Sequence, residues 1–181
     1  MWFRRNCQNG PCNCHASGSS PRKRFLFRLP KDGYIVSSAY ADVTMTSYTD
    51  YLTINTATRY EIRDITDEVE RVRGAANLRE GFVLVSTMHI TSSIFVNDHE
   101  PGLYQDIMTW LEELAPFGKD YKHHLTGEDN ADAHLKRMIL GHQVLVPVTN
   151  GKLDLGPWER VHYGEFDGRR NKRVLLKAFG E

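Results

Sequence analysis

Cysteine is confined to one end of this chain. Cys7, Cys12 and Cys14 are its 3 cysteines, and everything after them is free of thiols. The body therefore uses neither disulfides nor thiol chemistry, a pattern that fits a reducing cytosol and a cytoplasmic protein. Long hydrophobic runs are also missing. No stretch approaches the roughly twenty apolar residues that span a bilayer, so no membrane partner is expected. Arg4 and Arg5 are not followed by an apolar segment, which argues against a secretory signal. Charge of one sign is lacking as well, since 23 Lys and Arg balance 23 Asp and Glu. Such a chain has no general field for nucleic acid or anionic lipid. Nor is there a phosphate-cradling Walker loop, a dinucleotide fingerprint or a Gly-x-Ser-x-Gly elbow, so a serine nucleophile is not expected.

What remains is a chain of 181 residues, 40% hydrophobic, enough for one core and one domain. Residues 1–44 read as an N-terminal extension, largely disordered, because residues 6–23 are mostly Asn, Gln, Gly, Pro, Ser and basic side chains. Cys7, Cys12, Cys14 and His15 suggest a zinc site, but this composition favours a solvated tail. Phe25-Leu26-Phe27 is the extension's one apolar island. The domain proper covers residues 45–181. Strands are expected at 51–56, 60–63, 82–86, 93–96, 144–148, 158–165 and 173–177, where β-branched and aromatic residues cluster or alternate. Helices are expected from Thr66 to Arg73 with Gly74 as stop, from Pro101 to Pro116, and from Ala131 to Leu140. In the third, Ala131, Leu135, Met138 and Ile139 form the expected buried stripe, with Asp129 or Asn130 as N-cap. The sum is an α+β fold, a mainly antiparallel, β-sandwich-like domain with two or three helices.

The richest polar stretch runs from Tyr121 to Lys136 and holds His123, His124 and His134 beside Asp129 and Asn130. If the segment around His123-His124 is extended, one of that pair faces inward. His89 closes an apolar strand on the face of Val83 and Val85. Three histidines at the edges of apolar elements suit a borderline metal with an open water position, although boundary histidines with one hydrogen bond would look the same. Thr91, Ser92 and Ser93 fit donors to an oxyanion. Arg170 fits a fork for phosphate or carboxylate, whereas Lys172 and Arg173 read as a solvated hairpin flank.

Taken in order, several motifs resemble the YjbQ-like family, often labelled secondary thiamine-phosphate synthase enzyme. They are His89-x-Thr-Ser, Asn97, Tyr121-x-x-His124, the run Asp129 to Lys136, Gly141, Pro147, Gly151, Gly156-x-Trp158 and Glu165-Phe-Asp-Gly-x-Arg170. The resemblance implies a homotrimer with a polar pocket near a subunit boundary, acting on a small phosphorylated metabolite. It makes His89, His124 and His134 ligands for a divalent metal, Zn2+, or Mg2+ for a diphosphate substrate. Asn97, Asp129 and Glu165 become acid/base or supporting groups, while Ser92 and Arg170 bind the anion. The alternatives are a metal-dependent hydrolase and a non-enzymatic trimer that binds metal or anion. Three motifs depart from the family: Asn97-Asp98 for Asn-Glu, Gly156-Pro-Trp-Glu159 for Gly-Thr-Trp-Gln, and Gly168-Arg-Arg170 for Gly-Pro-Arg.

Overall fold

The computed structural model describes residues 45–181. The Cys7 to His15 cluster, the Phe25–Phe27 island and the proposed extension lie outside the described residues. A sheet of 5 strands has the order β1 (Thr46–Ile54), β8 (Lys172–Gly180), β3 (Gly81–Thr87), β5 (Gln143–Thr149), β6 (Lys152–Leu153). A second sheet of 3 strands has the order β2 (Glu61–Asp64), β7 (Arg160–Glu165), β4 (Ser92–Asn97). All pairings are antiparallel. The helices are α1 (Thr66–Ala75), α2 (Pro101–Leu114) and α3 (Ala131–Leu140). The α+β expectation holds.

Strand parity builds the core. In β3, β5 and β8 alternate residues point inward: Val83 and Val85, Val146 and Val148, then Val174, Leu176 and Ala178. They meet Val161 and Tyr163 of β7, Ile94 of β4, and Ile65, Val69 and Val72 around α1. The opposite face of the smaller sheet is covered as well. Phe166, just past β7, packs with Leu111 of α2 and Ala133 of α3 in a second cluster. Glu100 caps α2, its carboxylate accepting from the backbone N–H groups of Gly102 at 2.8 Å and Leu103 at 2.6 Å.

Three local expectations need correction. α1 runs through Gly74 to Ala75, because Ala76 continues in a right-handed conformation and closes the turn. Lys122–Thr126 is a 3-10 turn, so alternation between His123 and His124 does not apply. The buried face of α3 is the third. Met138 is 70% exposed and Ile139 40%, while Ala131, Asp132, Ala133 and Lys136 are inside. Lys136 Nζ donates to Asp132 Oδ2 at 2.7 Å and to Glu112 Oε2 at 2.8 Å, and it lies 4.7 Å from the ring centre of Tyr60. Tyr60 donates its hydroxyl to the same Asp132 oxygen at 2.7 Å. The interior of this helix thus holds an ion pair between small alanines instead of an apolar stripe, with Asp132 Oδ1 left 3.6 Å from the Arg59 guanidinium.

Removing one half of a buried pair strands the other charge, typically at a cost of about 3–5 kcal/mol. Lys136→Met should lower stability in urea by that order, and pairing it with Asp132→Leu should recover part of the loss. A Lys136→Met protein within about 1 kcal/mol of wild type would contradict this account of α3.

Candidate functional site

The β7–β8 turn, the β3–β4 turn and the start of α3 bring the polar residues together. At the centre, Glu165 and Lys172 form a buried ion pair. Glu165 Oε1 accepts from Lys172 and from the backbone N–H groups of Phe166 and Asp167, both at 2.9 Å. Its Oε2 accepts from the Tyr163 hydroxyl at 2.6 Å. The Lys172 ammonium also donates to Thr91 Oγ1 at 2.7 Å and to the Asp167 carbonyl at 3.0 Å, so its three protons are all engaged. Burial pulls the Lys172 amine below its ordinary range, and Glu165 opposes that pull. Burial, with the bond to Glu165, drives the Tyr163 phenol far upward, so it stays a donor.

This pair sets the state of His89. Lysine only donates, so Thr91 Oγ1 accepts from Lys172 and its own proton is free to reach His89 Nδ1 at 2.9 Å. The Thr91 backbone N–H points at the same nitrogen from 3.4 Å. Two donors on Nδ1 leave the proton of the neutral ring on Nε2. Burial and then the positive charges of Lys172 and Arg170 hold the His89 imidazole below the usual histidine range. The outcome is a half-buried neutral imidazole carrying an Nε2–H donor beside two cations.

The rim is built from Asp167. It accepts from Asn130 Nδ2 at 3.0 Å and pairs with Arg170, and its charge acts on both His89 and His134. Asn130 occupies the N-cap position of α3, yet its side chain bonds Asp167 instead of the helix N-terminus. Burial, then neighbouring His123, lowers His134. The two rings meet edge-on with centroids 4.8 Å apart beside a cavity of about 330 Å³. Gly168 lies so close to the preceding loop that a Cβ there would sit 2.1 Å from the Thr58 carbonyl. Arg169 takes φ 67°, which proline cannot adopt, so the departure from Gly-Pro-Arg carries its own backbone shape.

Several expected members sit elsewhere. Ser92 is fully buried with its hydroxyl 2.5 Å from that of Thr87, facing the interior. Asn97 lies at the far end of β4 from Ser92, about 17 Å along the strand at roughly 3.4 Å per residue. Its side chain accepts from the next backbone N–H, that of Asp98. Asp129 is 73% exposed and pairs with Arg59. His124 Nε2 is buried without a partner, its ring packed on Tyr121. Among the described residues, the donor atoms of His89, His124 and His134 are not gathered within 4.8 Å of one another, so they do not close on one ion within the chain. Lys172, read as solvated, is the largest omission. Its signal was available in the alternation 172, 174, 176, 178, which puts it on the inward face of β8.

The family described as UPF0047 protein YjbQ-like matches residues 50–181. A UPF0047 protein of Archaeoglobus fulgidus is 51% identical, over 70% of this chain and 98% of that protein. UPF0047 protein YugU of Bacillus subtilis is 33% identical, over 71% of this chain and 97% of its own. Among solved structures, a YbjQ-like protein of unknown function from Sulfolobus solfataricus P2 aligns with TM-score 0.74 and 36% identity, covering 76% of this chain and all of that one. A hypothetical protein from Aeropyrum pernix K1 aligns with TM-score 0.70 and 35% identity, over 74% of this chain and 99% of that one.

His89, His134 and His162 are all lowered, chiefly by burial. A histidine lowered on folding gives stability that is full above its unfolded value of 6.5 and is lost as pH falls through the folded value. The urea midpoint should therefore fall between roughly pH 7 and pH 5, and His89→Gln should make that fall shallower. A midpoint that rises over this range would contradict the assignment.

Proposed function

The chain belongs to the YjbQ-like UPF0047 family, and on that footing we propose that it binds a small phosphorylated metabolite at His89 and Arg170, with the buried Lys172 acting behind them through Thr91. The observation that carries this reading is the hydrogen-bond chain from Lys172 through Thr91 to His89 Nδ1, which leaves Nε2 as the donor beside Arg170. A diphosphate oxygen is the matching acceptor, and Arg170 supplies a guanidinium fork at the rim. Within that reading we propose thiamine-phosphate synthesis as the reaction. The methylene carbon of a pyrimidine diphosphate loses its C–O bond to diphosphate, which leaves with the electron pair. The nitrogen of a thiazole phosphate forms the new C–N bond and becomes cationic, so no proton need move. What the site supplies is stabilisation of the departing charge by the His89 donor and the Arg170 guanidinium. Glu165, with both oxygens engaged, serves as the anchor of Lys172 and takes no part in proton transfer.

A zinc-type hydrolysis on the histidines is the second reading. It is favoured by the buried, partnerless Nε2 of His124 and disfavoured by the failure of the three rings to converge. Chelation separates the two. Binding of inorganic diphosphate should survive EDTA in the first and vanish in the second. Thr91→Val keeps the shape of the side chain but cuts the link between Lys172 and His89. It should weaken diphosphate binding about tenfold, the equivalent of about 1.4 kcal/mol, and reduce any thiamine-phosphate formation with it. Unchanged binding in both Thr91→Val and His89→Ala would overturn the proposal.

We also propose a homotrimer, seated on the outer face of the larger sheet. That face presents Tyr51 (48% exposed), Phe82 (37%), Leu145 (60%) and Phe179 (39%) from four neighbouring strands. Phe82 lies across from Phe179 and from Pro147 in the register. Phe82, Phe179 and Pro147 make one apolar row, with Leu145 two residues along β5 and Tyr51 opposite Leu175, and exposed apolar residues on a sheet face are the kind of surface that another copy covers. Light scattering should give three times 20.8 kDa for wild type and a smaller mass for Phe82→Lys. A monomeric wild type would remove the trimer from the account.

A further inference from the structure

We propose that Asp64, His99 and His162, with the Tyr104 hydroxyl, form a binding site for a divalent transition metal of the zinc class, separate from the anion site. Asp64 ends β2, His99 lies between β4 and α2, Tyr104 is on α2, and His162 is on β7. One donor atom from each of Asp64, His99 and His162 lies within 4.8 Å of the other two, the only such group of metal-ligand residues among the described residues.

The distances suit a tetrahedral ion. With bonds of about 2.0–2.2 Å to nitrogen and oxygen, the edges of a zinc tetrahedron are about 3.3–3.5 Å long. His99 Nδ1 stands 3.3 Å from Asp64 Oδ2, already such an edge. The Tyr104 hydroxyl lies 2.7 Å from His99 Nδ1 and 2.7 Å from His162 Nε2, bridging the two imidazoles. An ion entering between them needs the rings to close from donor separations of up to 4.8 Å toward that edge, and the phenol oxygen or a water completes the set. The phenol donates its one proton to one of these nitrogens and accepts from the N–H of the other, and metal binding would replace those two hydrogen bonds with an ion that both rings can ligate.

The surroundings hold the donors in place. Asp64 Oδ1 accepts from the backbone N–H of Thr66 at 2.8 Å and from its hydroxyl at 2.6 Å, which turns Oδ2 toward His99. The His162 ring is fully buried and stacks on Phe95 with centroids 5.3 Å apart. Its Nδ1 has no partner, so Tyr104 is the only side chain its ring bonds. Arg160 is the competitor, since its Nε donates to the same Asp64 Oδ2 at 2.7 Å. It also reaches Asp67 at 3.1 Å, so a carboxylate is at hand when the ion takes Oδ2. Oriented donors fixed by neighbouring hydrogen bonds are what a metal site needs. The donors come from β2, β7 and the β4–α2 link with the first turn of α2, so an ion would pin the start of α2 to β2 and β7.

The site is independent of the anion site by strand parity. Glu165 and Tyr163 face the main core, whereas His162 points to the opposite face. The test is cobalt titration of the full chain. A visible d–d band without a thiolate charge-transfer band is expected, which also excludes binding at Cys7, Cys12 or Cys14. The band should be lost in His99→Ala, where the side chain is 58% exposed and the far-UV circular dichroism should match wild type, and kept in His89→Ala. Zinc should raise the melting temperature of wild type but not of His99→Ala. No nitrogen–oxygen cobalt band in wild type, or a band that His99→Ala leaves unchanged, would overturn the proposal.

Discussion

The buried pair of Glu165 and Lys172 is the constraint on which the site depends. Two charges removed from water are tolerable only when every remaining donor and acceptor is met. Here Glu165 gathers two backbone amides, a phenol and an ammonium, and Lys172 spends all its protons on Glu165, Thr91 and a carbonyl. Those demands shape the β7–β8 turn, hold Thr91 at the end of the β3–β4 turn, and through Thr91 decide which nitrogen of His89 carries its proton. A fully satisfied network of this kind is rigid, and it passes that rigidity to the one member that faces outward.

The smaller sheet then sorts two chemistries onto two faces. Along β7, Val161, Tyr163 and Glu165 face the main core, ending in the ion pair. His162, one residue out of phase, faces α2 and meets Tyr104 and His99. The two sites lie about 10 Å apart along one strand yet share no hydrogen bond. The relatives, matched over nearly their whole length, establish the family and the fold, and the chemistry rests on the side chains described above.

Much of this was legible in the sequence where periodicity and composition agree. The β-branched runs that become β3, β5 and β8 and the Pro101 start of α2 fall where alternation and capping put them. His89, Glu165 and Arg170 were placed in one region by motif order, and they do cluster around Lys172 and Asp167. The misplaced lysines share one cause, the assumption that charge means surface. Lys136 and Asp132 line the inside of α3 because they neutralise each other four residues apart, which displaced Met138 and Ile139 to solvent. Lys172 holds an inward position in β8 for the same reason. Asn97 and Ser92 failed differently. A strand carries neighbours in sequence to opposite ends and faces, so proximity along β4 said little about proximity in space.

The central claim is that Lys172, acting through Thr91, holds His89 as the Nε2–H tautomer, ready to donate to an oxyanion. Nitrogen-15 chemical shifts of the His89 ring report that tautomer directly. The account predicts a protonated Nε2 and a bare Nδ1 in the free protein, with the Nε2 signal moving on addition of inorganic diphosphate. A proton on Nδ1, or an Nε2 signal indifferent to diphosphate, would contradict it.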